Sequence, residues 1–105
     1  MRRMRCIALA AAAAFSPLSI ADAIDDAMTN AGCMACHAVD KRLLGPSFKE
    51  IAAKRKGDAD AVTTLVERVR KGGPSVYGLM PKSPTGPDRI NDADLKGAIE
   101  KILKS

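Results

Sequence analysis

The sequence predicts an all-α fold. Apolar residues recur at helical spacing in several segments, and Gly and Pro residues separate these segments from one another. No segment shows a sustained alternation of apolar and polar residues, so we expect no β-sheet. The chain has 105 residues, which allows one domain. We therefore expect four to five helices in a single domain.

Residues 1–23 have the pattern of a secretory signal peptide. Three arginines in the first five residues precede a short alanine-rich apolar run. The run is shorter than the roughly 20 residues that span a bilayer. Small residues allow cleavage after Ala21 or Ala23. We expect export to the periplasm, a mature domain of residues 24–105 and no stable membrane insertion after cleavage; an uncleaved anchor is the alternative.

Two helices are expected in the first half of this domain. The first ends at Gly32, and its apolar stripe consists of Ile24, Ala27, Met28 and Ala31. Asp25 and Asp26 would lie in its first turn, where acidic groups suit the helix dipole. The second helix follows Ser47, and Glu50 stands at the spacing of a capping box. Its apolar face consists of Phe48, Ile51 and Ala52.

Two more helices are expected in the second half. One starts at Asp58 or Asp60 and ends at Gly72, with an apolar stripe of Val62, Leu65, Val66 and Val69. The last starts after Asn91 as N-cap, with a stripe of Leu95, Ala98, Ile99, Ile102 and Leu103. Between them, four prolines and four glycines exclude regular structure, yet Val76, Tyr77, Leu79 and Met80 make this loop apolar. We expect the loop to cover something.

The mature chain is too short to be stable with an ordinary core. It has two aromatic residues, no Trp and two cysteines, so a cross-link or a prosthetic group is expected to complete the core. The formal net charge of +5 includes the arginines of the leader. Because cleavage removes them, the basic balance gives little support to nucleic-acid binding.

The run Cys33-Met34-Ala35-Cys36-His37 predicts one covalently attached haem c. Two thiols separated by two residues can add across the two vinyl groups of a porphyrin, and the next histidine then becomes the fifth iron ligand. A thioredoxin-like motif would need a strand, and a structural zinc site would need four ligands. A disulfide between Cys33 and Cys36 would close a very small loop and stabilise little.

The sixth iron ligand is expected to be Met80. Met34 lies between the two cysteines, and Met28 belongs to the apolar stripe of the first helix, where core packing is the better interpretation. Met80 lies far along the chain in the Pro/Gly loop. Ligation by His37 and Met80 would raise the reduction potential, because a thioether favours ferrous iron.

The chain resembles the small bacterial class I monohaem cytochromes c of the cytochrome c-551 type. The resemblance rests on the runs Gly32-Cys33-Met34-Ala35-Cys36-His37-Ala38, Gly45-Pro46, Glu67-Arg68-Val69-Arg70-Lys71-Gly72 and the loop with Tyr77 and Met80-Pro81. It implies a cytochrome c fold, with N- and C-terminal helices packed across each other and the haem between the chain halves.

The resemblance also implies roles for three further residues. The Pro46 carbonyl would accept a hydrogen bond from the ring of His37. Arg68 matches an arginine that bonds a haem propionate. Tyr77 falls where the family usually has a Trp that donates to the same propionate. The loop before Met80 is about two residues shorter than in the family, judged by motif spacing.

The function expected from this resemblance is that of a periplasmic one-electron carrier in a respiratory-type chain, not an enzyme. Its partners would be redox proteins such as membrane cytochrome complexes, oxidases or reductases, and the carrier would be a monomer. Lys41, Arg42 and Lys82 are candidates for a basic rim that steers an acidic partner. The alternatives are a haem subunit of a larger redox complex, or a gas sensor or peroxidase with a labile distal Met.

Overall fold

The computed structural model describes residues 20–75 and 80–105. Within them the chain forms five helices and no β-strand, so the prediction of an all-α fold is confirmed. The helices are α1 (Ile20–Asn30), α2 (Cys33–Cys36), α3 (Phe48–Lys54), α4 (Ala61–Lys71) and α5 (Asp92–Leu103). Most of the predicted signal peptide and Tyr77 lie outside the described residues. Over the described part of the chain, no helix is both long and apolar enough to cross a membrane.

Helices α1 and α5 pack against each other, as expected for the N- and C-terminal helices. At Gly97 on α5, a Cβ atom would lie 2.7 Å from Cδ1 of Ile24 on α1, so the missing side chain lets the two helices approach. Leu95 on α5 is 1% exposed and lies at the centre of the core. Helix α5 also contacts α3 and α4, so it is the central helix against which the other three pack.

Two helix N-termini are capped as their sequences predict. The hydroxyl of Ser47 accepts a hydrogen bond from the backbone N–H of Glu50 at 3.1 Å, and the Glu50 carboxylate accepts one from the N–H of Ser47 at 2.8 Å. The side chain of Asn91 accepts from the N–H of Asp94 at 2.8 Å. Each cap stabilises its helix by about 1 kcal/mol.

Two helices differ from the sequence prediction. Helix α1 begins at Ile20, so Asp22 lies in its first turn and Asp25 and Asp26 lie further along. The reason is that alanine-rich residues continue the helix upstream of Ile24 without a breaker. Helix α2 is only four residues long, which is too short to leave a periodic signal in the sequence.

A short bridge closes the base of the Pro/Gly loop. Gly73 and Lys82 exchange both backbone hydrogen bonds, each at 2.9 Å. Gly72, which ends α4, has a φ of 65°, and a Cβ there would overlap the carbonyl oxygen of Lys82 and lie 2.8 Å from the nitrogen of Pro84. The glycine therefore allows the segment that follows Met80 to lie directly against the end of α4.

Candidate functional site

A cavity of about 570 Å³ opens between the α2 region, helices α3 to α5 and the segment that starts at Met80. This volume lies within the range of about 300–1,000 Å³ that is usual for ligand and cofactor sites. Its walls are mainly apolar and include Ile51, Leu65, Leu95, Ile99 and Ile102. Six of the seven site residues predicted from the sequence border it: Cys33, Cys36, His37, Pro46, Arg68 and Met80. The seventh, Tyr77, lies outside the described residues.

The two cysteines occupy the single turn of α2 and are both free thiols. Residues three apart lie on the same side of a helix, so both sulfurs can face one ligand. Burial raises the pKa of the Cys33 thiol, and the positive charge of Lys82 partly offsets this effect. Within the described part of the chain, no group of three or more Cys, His, Asp or Glu side chains could hold a metal ion. The arrangement therefore gives no support to a structural zinc site.

The imidazole of His37 is fixed from several sides. Its Nδ1 donates a hydrogen bond to the carbonyl oxygen of Pro46 at 2.7 Å. The ring stacks on Phe48, with centroids 5.7 Å apart and planes inclined by 22°. A Cβ atom at Gly45 would lie 2.6 Å from Cε1 of the ring, so only glycine fits at that position. Because Nδ1 donates to the carbonyl, Nε2 is left with a lone pair to bind a metal.

The three methionines among the described residues lie in different surroundings. Met28 is 3% exposed and belongs to the core, as the sequence predicts. Met34 is 41% exposed and does not border the cavity. Met80 borders the cavity and is 63% exposed in the chain alone. Met80 is therefore the methionine that can offer a sulfur to a group bound in the cavity.

The guanidinium of Arg68 is bound to the end of its own helix. Its two Nη atoms donate to the carbonyl oxygens of Gly72 and Gly73, both at 3.3 Å, and one of them also donates to Pro74. Arg68 borders the cavity and is half-buried.

Of the three candidates for a basic rim, Lys82 is the one that borders the cavity. The side chain is half-buried in the cavity wall, where its Nζ donates to the carbonyl of Ser83 at 2.9 Å and to Oγ1 of Thr85 at 3.0 Å. Burial lowers the pKa of this ammonium group. The bridge between Gly73 and Lys82 holds this segment against the end of α4.

Sequence reasoning missed two residues of this site. Gly45 contacts the ring of His37, but the sequence showed it only as part of a Gly-Pro turn. Arg55 borders the cavity from the C-cap of α3, and nothing in the apolar periodicity distinguishes it from the other cations nearby. Both positions depend on how distant segments meet, which periodicity does not report.

These residues fit a covalently bound haem. The cavity offers two free thiols one helical turn apart, an imidazole with a free Nε2 and a thioether at its border. Its apolar walls suit a porphyrin face, and its cationic side chains suit the two propionates.

Comparisons with known proteins give the same result. The family model described as Cytochrome c matches residues 22–103. A cytochrome c2 from Rubrivivax gelatinosus is 52% identical over 77 residues, which cover 73% of this chain and 91% of the relative. A cytochrome c-551 from Azotobacter vinelandii is 39% identical over 72 residues, covering 69% and 84%.

A solved structure supports the family at the level of the fold. Wild-type cytochrome c552 from Nitrosomonas europaea superposes with a TM-score of 0.68 at 35% sequence identity, and the match covers 76% of this chain and 96% of that one. Since the family model also covers most of the chain, the protein belongs to the cytochrome c family as a small class I monohaem cytochrome, an electron-transfer protein rather than an enzyme, with one covalently bound haem c.

Proposed function

We propose that this protein is an exported electron carrier whose haem is attached to Cys33 and Cys36 and ligated by His37 and Met80. The observation that carries the proposal is that one cavity is bordered by both thiols, by Met80 and by a histidine whose Nε2 is left free. When bound, the haem supplies an iron that alternates between the ferrous and ferric states.

The chain's own residues would orient the two axial ligands and exclude water. The hydrogen bond to Pro46 and the stack on Phe48 hold the imidazole of His37 in one orientation. The bridge between Gly73 and Lys82 holds the base of the loop that carries Met80. Apolar side chains of α4 and α5 line the cavity, and a low-polarity site favours the less charged ferrous state. Little rearrangement would then accompany a change of oxidation state.

A visible and near-infrared spectrum of the purified ferric protein tests the ligation. We expect the charge-transfer band of sulfur-ligated ferric haem in the wild type, and we expect Met80→Ala to abolish it and lower the reduction potential. Met34→Ala is the matched control, because Met34 does not border the cavity. An absent band in the wild type at neutral pH would instead indicate an open or labile distal position, as in a gas sensor or peroxidase.

Export is part of the proposal. Basic residues, an apolar run and small residues precede α1 in the sequence, and haem c is attached outside the bacterial cytoplasm. The expected result is that the mass of the haem-loaded protein from a periplasmic fraction corresponds to cleavage after Ala21 or Ala23 plus one haem. A full-length haem-loaded protein in the membrane fraction would contradict cleavage.

We further propose that the carrier docks its redox partners at the surface beside Cys36. Exposed apolar side chains cluster in sequence here, namely Val39, Leu43 and Leu44. Lys41 is exposed beside them, whereas Arg42 is paired with Glu50 at 2.6 Å. An acidic partner would then exchange electrons more slowly as salt increases. Rates that do not respond to ionic strength would count against the charged part of this surface, and co-purification with a larger complex would indicate a subunit instead.

A further inference from the structure

The cavity wall carries an unbalanced positive charge. Arg55, Arg68 and Lys82 all border it, and among the described residues no Asp or Glu does. A guanidinium stays protonated in a protein, so at least two of these charges persist at any working pH. Charges held away from water need a partner of opposite sign. The occupant of the cavity is therefore expected to bring negative charge of its own.

Two of the three cations already have hydrogen-bond acceptors within the chain. The Nη atoms of Arg68 donate to the carbonyls of Gly72 and Gly73 at the end of α4. The Nζ of Lys82 donates to Thr85 and to a neighbouring backbone carbonyl. Neither side chain depends on a bound group for its hydrogen bonds.

Arg55 is different. Its Nε is buried and has no hydrogen-bond partner among the residues that the structure describes. Its one ion-pair contact joins Nη1 to the Asp58 carboxylate at 3.5 Å, which is at the outer limit for a hydrogen bond. An unsatisfied buried donor on a charged group is costly, by about 1–3 kcal/mol or more. Of these three cations, Arg55 is thus the one that keeps a buried hydrogen-bond donor without an acceptor among the described residues.

We propose that Arg55 binds a propionate of the haem. The inference rests on the proposed haem-binding function and adds a residue to it. The Nε–H and one Nη–H of a guanidinium lie along one edge and match the two oxygens of a carboxylate. The long side chain can turn this edge towards the cavity, and Asp58 can keep its contact with the other edge. The family resemblance implies Arg68 and Tyr77 for the propionate, and Arg55, at the C-cap of α3, is a further partner.

This pairing has a measurable electrostatic consequence. A cation near the haem opposes the extra positive charge of ferric iron, and it keeps the bound propionate ionised. Replacing Arg55 by Gln should shift the equilibrium between the two oxidation states towards ferric by about threefold to tenfold. A tenfold change corresponds to about 59 mV for one electron. The propionate would also take up a proton at higher pH, so the pH range in which the potential falls should move towards neutrality.

The other charged groups around the cavity must be distinguished from Arg55. Arg68 on α4 and Lys82 in the segment after Met80 border the cavity, whereas Asp58, on the turn after α3, contacts Arg55 without bordering it; the imidazole of His37 borders the cavity as well. Lys56→Gln is the matched control, because Lys56 is an exposed cation next to Arg55 that does not border the cavity. Asp58→Asn tests whether Asp58 alone is the partner of the guanidinium.

The experiment is a redox titration of the haem-loaded protein from about pH 5 to pH 9, a window between the ordinary pKa values of carboxyl and Lys side chains. The proposal predicts a lowered potential and a displaced pH profile in Arg55→Gln, a smaller change in Arg55→Lys, and the wild-type profile in Lys56→Gln and Asp58→Asn. If Arg55→Gln does not retain haem, Arg55→Lys serves as the test in its place, because it keeps the positive charge. A profile in Arg55→Gln that matches Lys56→Gln, or one that Asp58→Asn reproduces, would overturn it. The near-infrared band, recorded on each sample, reports the Met80 ligation separately from this result.

Discussion

Replacing Gly45 by Ala should displace the ring of His37, which we assign as the proximal ligand, and weaken the contacts that hold it. A Cβ atom at this position would lie 2.6 Å from Cε1, 3.0 Å from Nδ1 and 3.1 Å from Nε2 of His37. Non-bonded carbon atoms are comfortable at about 3.5–4.0 Å, so the ring must retreat by about 1 Å. It is held by the Pro46 carbonyl on one side and by the stack on Phe48. The retreat therefore stretches or breaks one of these contacts.

The expected cost follows from these contacts. Overpacking by one methyl group costs about 1–3 kcal/mol, and a weakened hydrogen bond adds about 1 kcal/mol. The free energy of unfolding of the haem-loaded protein should fall by about 2–4 kcal/mol. With a urea slope near 2 kcal/mol per M, the midpoint should fall by about 1–2 M. The reduction potential should change as well, because the hydrogen bond to Pro46 sets the basicity of the imidazole.

Urea unfolding and a redox titration of the haem-loaded protein would measure both effects. Gly86→Ala is the control, because the nearest atom to its Cβ is Oδ1 of Asp88, the end of an exposed side chain that can move aside. If Gly45→Ala lowers the urea midpoint no more than Gly86→Ala and leaves the potential unchanged, the close packing against His37 has no energetic role.

Three further predictions follow from the helix ends. Ser47→Ala should lower the free energy of unfolding by about 1 kcal/mol, because it removes the acceptor for the N–H of Glu50, whereas Ser47→Asp should restore most of it; urea unfolding would measure both. A Gly-to-Ala change at an unstrained position can raise the free energy of unfolding by up to about 1 kcal/mol. Gly72→Ala should instead lower it by more than this amount, because its Cβ would overlap the backbone of the segment that begins at Lys82; equal or higher thermal stability would contradict this. The hydrogen bond from the Ser47 N–H, followed by the contact with Arg42, lowers the pKa of Glu50. A lowered pKa in the folded state adds stability above the unfolded value of about 4.3 and loses it as pH falls through the folded value, so the difference in urea midpoint between the wild type and Glu50→Gln should shrink on acidification.

The fold could be predicted from the sequence because its helices carry their own signals. The stripe from Leu95 to Leu103 and the cap at Asn91 lie within one segment, and they predict α5 without reference to any other part of the chain. The start of α1 and the existence of α2 were harder to predict from the sequence. In α1 the alanines allow the helix to start earlier, and in α2 four residues are too few for a period to be seen.

The site was only partly accessible from the sequence. Cys33, Cys36 and His37 are adjacent, so their spacing alone carries the chemistry. Arg55 and Lys82 border the same cavity only because segments that are distant in the chain meet there, and a sequence pattern does not report such a meeting. Lys82 shows the difference most clearly: its sequence suggested an exposed charge, whereas the bridge to Gly73 places it in the cavity wall.

That same bridge would make Met80, as the ligand that we propose, a tethered one. The two backbone hydrogen bonds between Gly73 and Lys82 close the loop at its base, so a Met80 sulfur that left the iron would stay close to the cavity. Short tethers give an effective local concentration in the millimolar range or above. A small external ligand, such as imidazole or cyanide, would have to compete with that concentration before it could reach the iron. Loosening the base of the loop should therefore increase sensitivity to such ligands even when every residue that we assign to the iron is unchanged.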